Sequence, residues 1–315
     1  MNDITETFTD SVVGFSVPPR DARGRIARLD ETATAILSAH DYPPAVAHLL
    51  TEALVLISLV GSLLKNDGSQ VTMQAQTQGG PIRLLVCDYK AGAIRGYVDF
   101  DEERIGDLGT SPNLSALFGE GYLALTFDVA KGEQSDKSGR YQGIVPLEGA
   151  SLSEACQSYF MQSEQVPTLI RVAVSGGESG YRAAGLLVQH LPEGEEGRER
   201  LHVRLDHPEW EHVAIMAGSV RYEELLDHAL SLEGIVWRLF HEEEQVRVQR
   251  SVALTKGCRC TVEHYRRVLA RFPSEERASM ADENGNIVVD CEFCSQQFPI
   301  PIDQLVVQNE RSTDI

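Results

Sequence analysis

Apolar residues return with a helical period over Arg25 to Leu37, where Ile26, Leu29, Ala33, Ile36 and Leu37 share one face, and the spacing predicts a helix there. A longer helix is predicted over Ala45 to Leu64, closing on the turn Lys65-Asn66-Asp67-Gly68. The period then falls to two. Val71, Met73, Ala75 and Thr77 alternate with Thr72, Gln74, Gln76 and Gln78, which predicts a strand with one wet face. Gly79-Gly80-Pro81 breaks it, and Ile82 to Tyr89 and Ile94 to Phe100 follow as strands on either side of Ala91-Gly92. More strands are expected over Leu123 to Val129 and Tyr141 to Val145. Ser151 to Phe160 returns to helical spacing, with Leu152, Ala155, Cys156, Tyr159 and Phe160 in one stripe. Thr168 to Val174 and Tyr181 to Val188 then flank a glycine- and serine-rich turn and predict a hairpin.

Beyond Leu191-Pro192 the pattern changes. Glu193-Gly194-Glu195-Glu196-Gly197 is an acidic, glycine-rich joint that suits a domain boundary. Three short helices are expected after it. The first is introduced by Asp206, with Pro208 and Glu209 in its first turn, and carries Trp210, Val213 and Ala217. The second places Tyr222, Leu225, Leu226 and Ala229 on one face. The third starts near Ser231 and carries Leu232, Ile235, Val236, Leu239 and Phe240. Both tryptophans of the chain, Trp210 and Trp237, fall in this connector. It is too apolar for a solvated linker, so its stripes are expected to pack on the strand-rich core.

The 315 residues and 42% hydrophobic content are enough to bury a real core, and the length suggests about two domains. The net charge of -19 repels phosphate backbones and argues against nucleic acid as a partner. The first residues, Met1-Asn2-Asp3-Ile4-Thr5-Glu6, lack the basic and apolar regions of a secretory signal. The most apolar window, Ala45 to Leu64, holds His48 and Glu52, and its unbroken part begins only at Ala53. That is too short to span a bilayer and predicts a buried helix. A cytoplasmic location without membrane contact is expected, so the six cysteines are read as thiols, and close pairs as metal or redox sites.

Four cysteines make such pairs, Cys258-Arg259-Cys260 and Cys291-Glu292-Phe293-Cys294, with residues 261–290 between them. Zinc takes four thiolates in a tetrahedron, and pairs joined by short loops suit it. The second pair has the setting of a zinc knuckle. Asn284-Gly285 turns, Ile287-Val288-Val289 is a strand, and Phe298 and Ile300 resume an extended pattern. Between the pairs, Val262, Tyr265, Leu269 and Phe272 form one helix face, ended by Pro273-Ser274. One zinc ion per reduced chain, on Cys258, Cys260, Cys291 and Cys294, is the expectation. The alternative, a thioredoxin-like Cys-x-x-Cys, calls for a strand leading into a helix, which this setting lacks. The tight Cys-x-Cys half hints at a site tuned for more than scaffolding. Zinc keeps its oxidation state, so any redox chemistry belongs to sulfur, and thiolates joined as a disulfide cease to be good ligands. A small zinc module can draw about 10–16 kcal/mol of folding free energy from its metal, against about 5–15 kcal/mol for a whole domain. Loss of zinc would unfold it. Cys87, in Leu84-Leu85-Val86-Cys87, and Cys156 read as buried structural thiols.

Other candidates carry less. His207-Pro208-Glu209-Trp210-Glu211-His212 is not the His-Glu-x-x-His of a zinc helix and reads as a helix start. His241-Glu242-Glu243-Glu244 reads as a solvated or salt-bridged helix end. Arg266, Arg267 and Arg271 read as a solvated basic face. There is no phosphate-binding Gly-x-x-x-x-Gly-Lys-Ser/Thr, and no catalytic residues stand out.

The chain from about Arg23 to about Leu305 resembles the 33 kDa heat-shock chaperonin family, the redox-regulated holdases of bacteria. The two cysteine pairs are the most specific part. Gln78-Gly79-Gly80-Pro81, Arg95-Gly96-Tyr97, Gly121-Tyr122-Leu123, Tyr141-Gln142-Gly143-Ile144-Val145, Tyr159-Phe160-Met161-Gln162-Ser163-Glu164-Gln165 and Arg238-Leu239-Phe240-His241-Glu242-Glu243-Glu244 also look like the family. The first 20 or so residues look like a variable extension, and Gly80 stands where an acidic residue is expected. The resemblance implies an ATP-independent chaperone, not an enzyme, held inactive by zinc when reduced. It implies disulfides within each pair, Cys258 with Cys260 and Cys291 with Cys294. Unfolding of the connector then exposes surface for unfolded or partly folded client proteins, and the oxidised form can be a homodimer.

The expected fold is α+β: a strand-rich core domain with packed helices (residues 1–192), a metastable helical connector (193–257) and a small four-cysteine zinc module with its tail (258–315). The residues expected to bind clients are Trp210, Leu225, Leu226, Ile235, Trp237, Leu239 and Phe240. A thiol-disulfide oxidoreductase would differ by reducing insulin, and a zinc-dependent nucleic-acid binder by a salt-dependent gel shift.

Overall fold

The strand pairing that organises the fold begins at its first described residues. The computed structural model describes residues 10–109, 112–131, 139–177, 180–191 and 207–305. They fall in two compact units, one up to Gly257 and one from Cys258. In the larger unit the strands are β1 (Ser11–Val17), β2 (Ala22–Leu29), β3 (Gln70–Gly79), β4 (Ile82–Lys90), β5 (Ala93–Phe100), β6 (Gly119–Val129), β7 (Gly139–Pro146), β8 (Thr168–Gly177) and β9 (Gly180–His190). The short pieces β10 (Arg247–Val248), β11 (Val252–Ala253) and β12 (Thr255–Lys256) follow. Its helices are α1 (Glu31–Leu37), α2 (Pro44–Gly61), α3 (Glu102–Gly106), α4 (Leu114–Phe118), α5 (Leu152–Tyr159), α6 (Pro208–Gly218), α7 (Tyr222–Leu226) and α8 (Leu232–Phe240).

Two six-stranded sheets result. The first runs β10-β1-β2-β9-β8, with β11 also on β1; the second runs β12-β5-β4-β3-β6-β7. All their pairings are antiparallel except β12 on β5. The main core lies between them. Leu29 of β2 and Leu187 of β9 line it from one sheet and Val71 and Met73 of β3 from the other, with α2 packed on all three strands. Helix α2 is apolar because it is enclosed. Among the described residues it is the one helix long and apolar enough to cross a membrane, and 83% of that window is buried inside the fold. The opposite face of the first sheet carries a second core. Val13, Phe15 and Val17 of β1, Ile26 of β2 and Leu186 and Val188 of β9 pack there against α6, α7 and α8. The architecture is α+β and strand-rich.

Two expectations fail at the start of the chain. Arg25 to Leu37 is not one helix but the end of β2 followed by α1. Strand β2 is buried on both faces, Ile26 against the connector and Ala27 and Leu29 in the main core. A doubly buried strand loses its alternation, so the spacing of Ile26, Leu29 and Ala33 imitates a helix. The true helix starts where the Asp10 carboxylate accepts the backbone N–H of Asp30 at 2.6 Å and of Thr32 at 2.5 Å. The first 20 residues are not merely an extension either: Ser11–Val17 forms buried strand β1. The glycine departure also has a cause, since a Cβ on Gly80 would come within 2.3 Å of the Phe118 carbonyl oxygen.

The acidic joint at 193–197 and the expected cap Asp206 lie outside the described residues, as does the boundary at 192. In the connector, Trp210, Leu225, Ile235, Leu239 and Phe240 are buried and Leu226 is half-buried. Trp237 is the correction. It is 63% exposed, because Ile235, Val236, Leu239 and Phe240 already occupy the inward arc of α8.

The smaller unit holds α9 (Val262–Leu269), α10 (Ser274–Met280) and the hairpin of β13 (Asn286–Asp290) with β14 (Gln297–Pro301). Leu269, Ile287, Phe298, Ile300 and Leu305 make its own small core.

Candidate metal centre

Each cysteine pair is presented by a local structure that its sequence dictates. Cys258 and Cys260 lie just before α9, whose start is fixed by Thr261, its hydroxyl oxygen accepting the His264 N–H at 3.1 Å. Cys291 and Cys294 lie in the turn that joins β13 to β14. The N–H groups of Cys294 and Ser295 donate to the Cys291 carbonyl at 3.2 and 2.8 Å, and the Cys291 N–H donates to the Gln296 carbonyl at 3.0 Å. Ser295 takes a left-handed φ of 55° to close the knuckle. At the far end of the hairpin Asp282 Oδ1 accepts the N–H groups of Asn284 and Asn286, both at 2.9 Å, which sets the register Asp290 to Gln297 beside the cysteines.

The four sulfurs all lie within 4.8 Å of one another. Cys258 Sγ is 3.1 Å from Cys260 Sγ and 3.5 Å from Cys291 Sγ, and Cys260 Sγ is 3.5 Å from Cys294 Sγ. A tetrahedron of sulfurs about 2.3 Å from a common zinc has edges of about 3.8 Å, inside this range, so the donor set fits that ion in number, type and spacing. Cys291 is buried and the other three are half-buried. Burial works to raise the Cys291 thiol, but hydrogen bonds with Tyr265, the Phe293 backbone, Cys258 and Cys294 reverse this and bring it down to about 7. Burial pushes up Cys260, and its sulfur neighbours add to the rise; burial also raises Cys294, against hydrogen bonds from the Gln296 backbone and Cys260. Crowded thiolates repel one another, so one sulfur ionises readily and its neighbours resist unless a cation shares the charge. Tyr265 is itself pushed up, by burial and by its bond to Cys291, and its ring packs 5.1 Å from that of Phe298.

Among the described residues, no second group of three or more His, Cys, Asp or Glu side chains gathers its ligand atoms this closely. Cys87 on β4 and Cys156 on α5 are fully buried in the main core, and burial pushes their thiols up, Cys156 to about 12. His207 and His212 hold no such cluster. The His207 ring lies tilted against that of His190, 5.0 Å between centroids, and His212 Nε2 sits 2.7 Å from Glu243.

Sequence reasoning missed the arginines that fasten the connector. Arg20 pairs with Glu209 on α6 and, at 2.8 Å, with Glu243 just past α8. Arg28, buried in β2, donates to the main-chain carbonyls of Leu225, in the last turn of α7, and of Asp227 and Leu230 beyond it. The sequence offered no clear signal for it, since Arg28 follows Arg23 and Arg25 and reads as one more charge beside them.

Comparison with known proteins agrees over most of the chain. Residues 10–301 match the family model described as Hsp33 protein. A 33 kDa chaperonin of Caulobacter vibrioides is 36% identical over 311 residues, covering 95% of this chain and 98% of the relative. One from Shewanella loihica is 34% identical over 280 residues, covering 88% of each. The crystal structure of the 33 kDa chaperonin of Thermotoga maritima superposes with a TM-score of 0.73 at 20% identity, covering 94% of this chain and 96% of that one, a likeness of fold.

Proposed function

The chain belongs to the Hsp33 family of chaperones, and from that premise we propose that it is a redox-regulated, ATP-independent holdase, zinc-bound and inactive when reduced. The observation that carries this reading is the convergence of Cys258, Cys260, Cys291 and Cys294 to within 4.8 Å. Bound there, one zinc ion would neutralise the thiolates and supply about 10–16 kcal/mol of folding free energy to the small unit.

The reacting groups are the cysteines themselves. In each pair two thiols give up two electrons and two protons and form one S–S bond. With hydrogen peroxide as oxidant, its O–O bond breaks and two waters leave. The pairing is Cys258 with Cys260 and Cys291 with Cys294, since residues two and three apart join without long loop closure. Peptide mapping of oxidised protein checks this, and a dominant link between Cys258 and Cys291 would overturn it. Once paired, the sulfurs no longer anchor the small unit, and the connector, residues 193–257, leaves the core, residues 1–192.

Release bares Trp210, Leu225, Leu226, Ile235, Leu239 and Phe240, together with the already exposed Trp237, for unfolded or partly folded clients. The net charge of -19 keeps such a surface in solution and disfavours nucleic acid. Cytoplasmic residence and a homodimer of the oxidised form complete the proposal. Light scattering of a heat-denatured client, with a chromogenic zinc indicator present, tests it. Suppression of aggregation should appear after peroxide treatment, together with release of about one zinc per chain. Equal suppression by the reduced protein would refute the switch.

A further inference from the structure

One cation lies where the connector covers an apolar sheet face. Side chains alternate along a strand, and Arg28 follows Ala22 and Ile26 onto the face of β2 that packs against α6, α7 and α8. It is only 7% exposed. Its Nε and Nη2 donate to the Leu225 carbonyl at 3.2 and 2.9 Å, Nη2 also to the Asp227 carbonyl at 3.0 Å, and Nη1 to the Leu230 carbonyl at 3.0 Å. Asp30 and Asp227 act on it through longer-range charge, and among the described residues no carboxylate accepts its hydrogen bonds.

All three acceptors are main-chain oxygens, so the guanidinium reads no side chain of the segment it holds. Arg20 works differently. It grips the carboxylates of Glu209 and Glu243, which only a segment with acids at those places can offer. A rigid fork of donors suits several carbonyls at once. The apolar side chains that share this face of the first sheet, Phe15, Ile26 and Leu186, add contact without a fixed pattern. A surface that recognises carbonyls and apolar bulk alone suits a protein that must hold many different unfolded chains.

We propose that Arg28 is a receptor for polypeptide backbone. The connector turn Leu225–Leu230 occupies it while docked, and carbonyls of an unfolded client replace that turn after release. This rests on the holdase reading above. The probe is fluorescein-labelled, carboxymethylated lactalbumin, a permanently unfolded chain, titrated by anisotropy against full-length protein. Oxidised Arg28→Met should bind it at least tenfold more weakly than oxidised wild type, with Arg28→Lys between them. Oxidised Arg20→Gln, which loses only a connector contact, should bind like wild type. Wild-type affinity in oxidised Arg28→Met overturns the receptor, and so does an equal loss in Arg20→Gln, which would signal general damage. In reduced Arg28→Met, amide exchange across residues 222–240 should rise, and unchanged protection there would overturn the clamp. Protection of β3 to β6 monitors folding; if Arg28→Met loses it, Arg28→Lys decides, and wild-type affinity in that variant overturns the proposal. Oxidised wild type that binds no better than reduced wild type sinks the holdase reading first, and the receptor with it.

Discussion

Cys291 is the most enclosed of the four clustered cysteines and the one whose thiol is drawn down, to about 7, against its burial, by hydrogen bonds with Tyr265, the Phe293 backbone and two neighbouring sulfurs. Hydrogen bonding thus favours its thiolate, the form that meets a cation. Cys291→Ser should lower bound zinc from about one per chain to well below half of that under a competing chelator. Metal analysis that found full occupancy would remove Cys291 from the ligand set. His190 is a second residue with a readable consequence. It is 3% exposed, and burial, followed by the charge of His207, lowers its pKa from the ordinary 6.5, while Arg20, Asp21 and Glu209 oppose the shift. A base depressed in the folded state favours folding above its ordinary pKa, and that support is lost as pH falls through 6.5 towards the folded value. Glu243 adds to the same trend lower down. Burial works to raise it, but hydrogen bonds from Arg20 and His212 hold it below 4.5, so its contribution also disappears on acidification. Protection factors of the α6 amides in reduced protein, which divide out the pH dependence of intrinsic exchange, should fall as pH drops from 8 to 5, and protection that rose instead would contradict the sign. The cysteines were legible from spacing alone. Arg20 and His190 were not, since their partners are fixed only by folding.

At the scale of elements, the three connector helices were visible as amphipathic stripes, but which side chains they bury was decided by the sheet beneath. Trp210 is 8% exposed and Trp237 is 63% exposed. Burying a side chain of the first kind contributes roughly 1.5–3 kcal/mol, so α6 has more to lose on release than the Trp237 position of α8. If oxidation frees the connector, the red shift in tryptophan emission should come from Trp210. Trp237→Phe should keep the shift and Trp210→Phe should abolish it. A shift that survived in Trp210→Phe would place the change elsewhere. The strands with one wet face, such as β3, were legible because water preserves their alternation. Strand β2, enclosed on both faces, reads as a helix, and β1 escapes the pattern because all of Ser11 to Phe15 are buried, so no wet face preserves its alternation.

At the scale of the whole molecule, the two units have separate cores of unequal size. Leu269, Ile287, Phe298, Ile300 and Leu305, with Cys291, are nearly all that the smaller unit buries. A metal held by the four cysteines would supply folding free energy that so small a core lacks and that the larger unit, with two extensive cores, does not need. Removing the metal with a strong chelator under reducing conditions should bring residues 258–305 to the fast exchange of an unfolded chain. Strands β3 to β6 should stay protected. A smaller unit that kept its protection without metal would show that its apolar core suffices.

By itself the sequence marked the candidate centre and most of the local structure, because thiol spacing, turn residues and half-wet periodicities are properties of neighbours along the chain. It marked four cysteines as one centre and the connector as apolar. Only the tertiary structure decided which strands lie between two cores, that Trp237 faces outward, and that Arg20 and Arg28 fasten the connector from far upstream. Those outcomes depend on burial and on contacts across some 200 residues. No local pattern can encode such contacts, since the partner of a buried charge is chosen when the sheets and helices close around it.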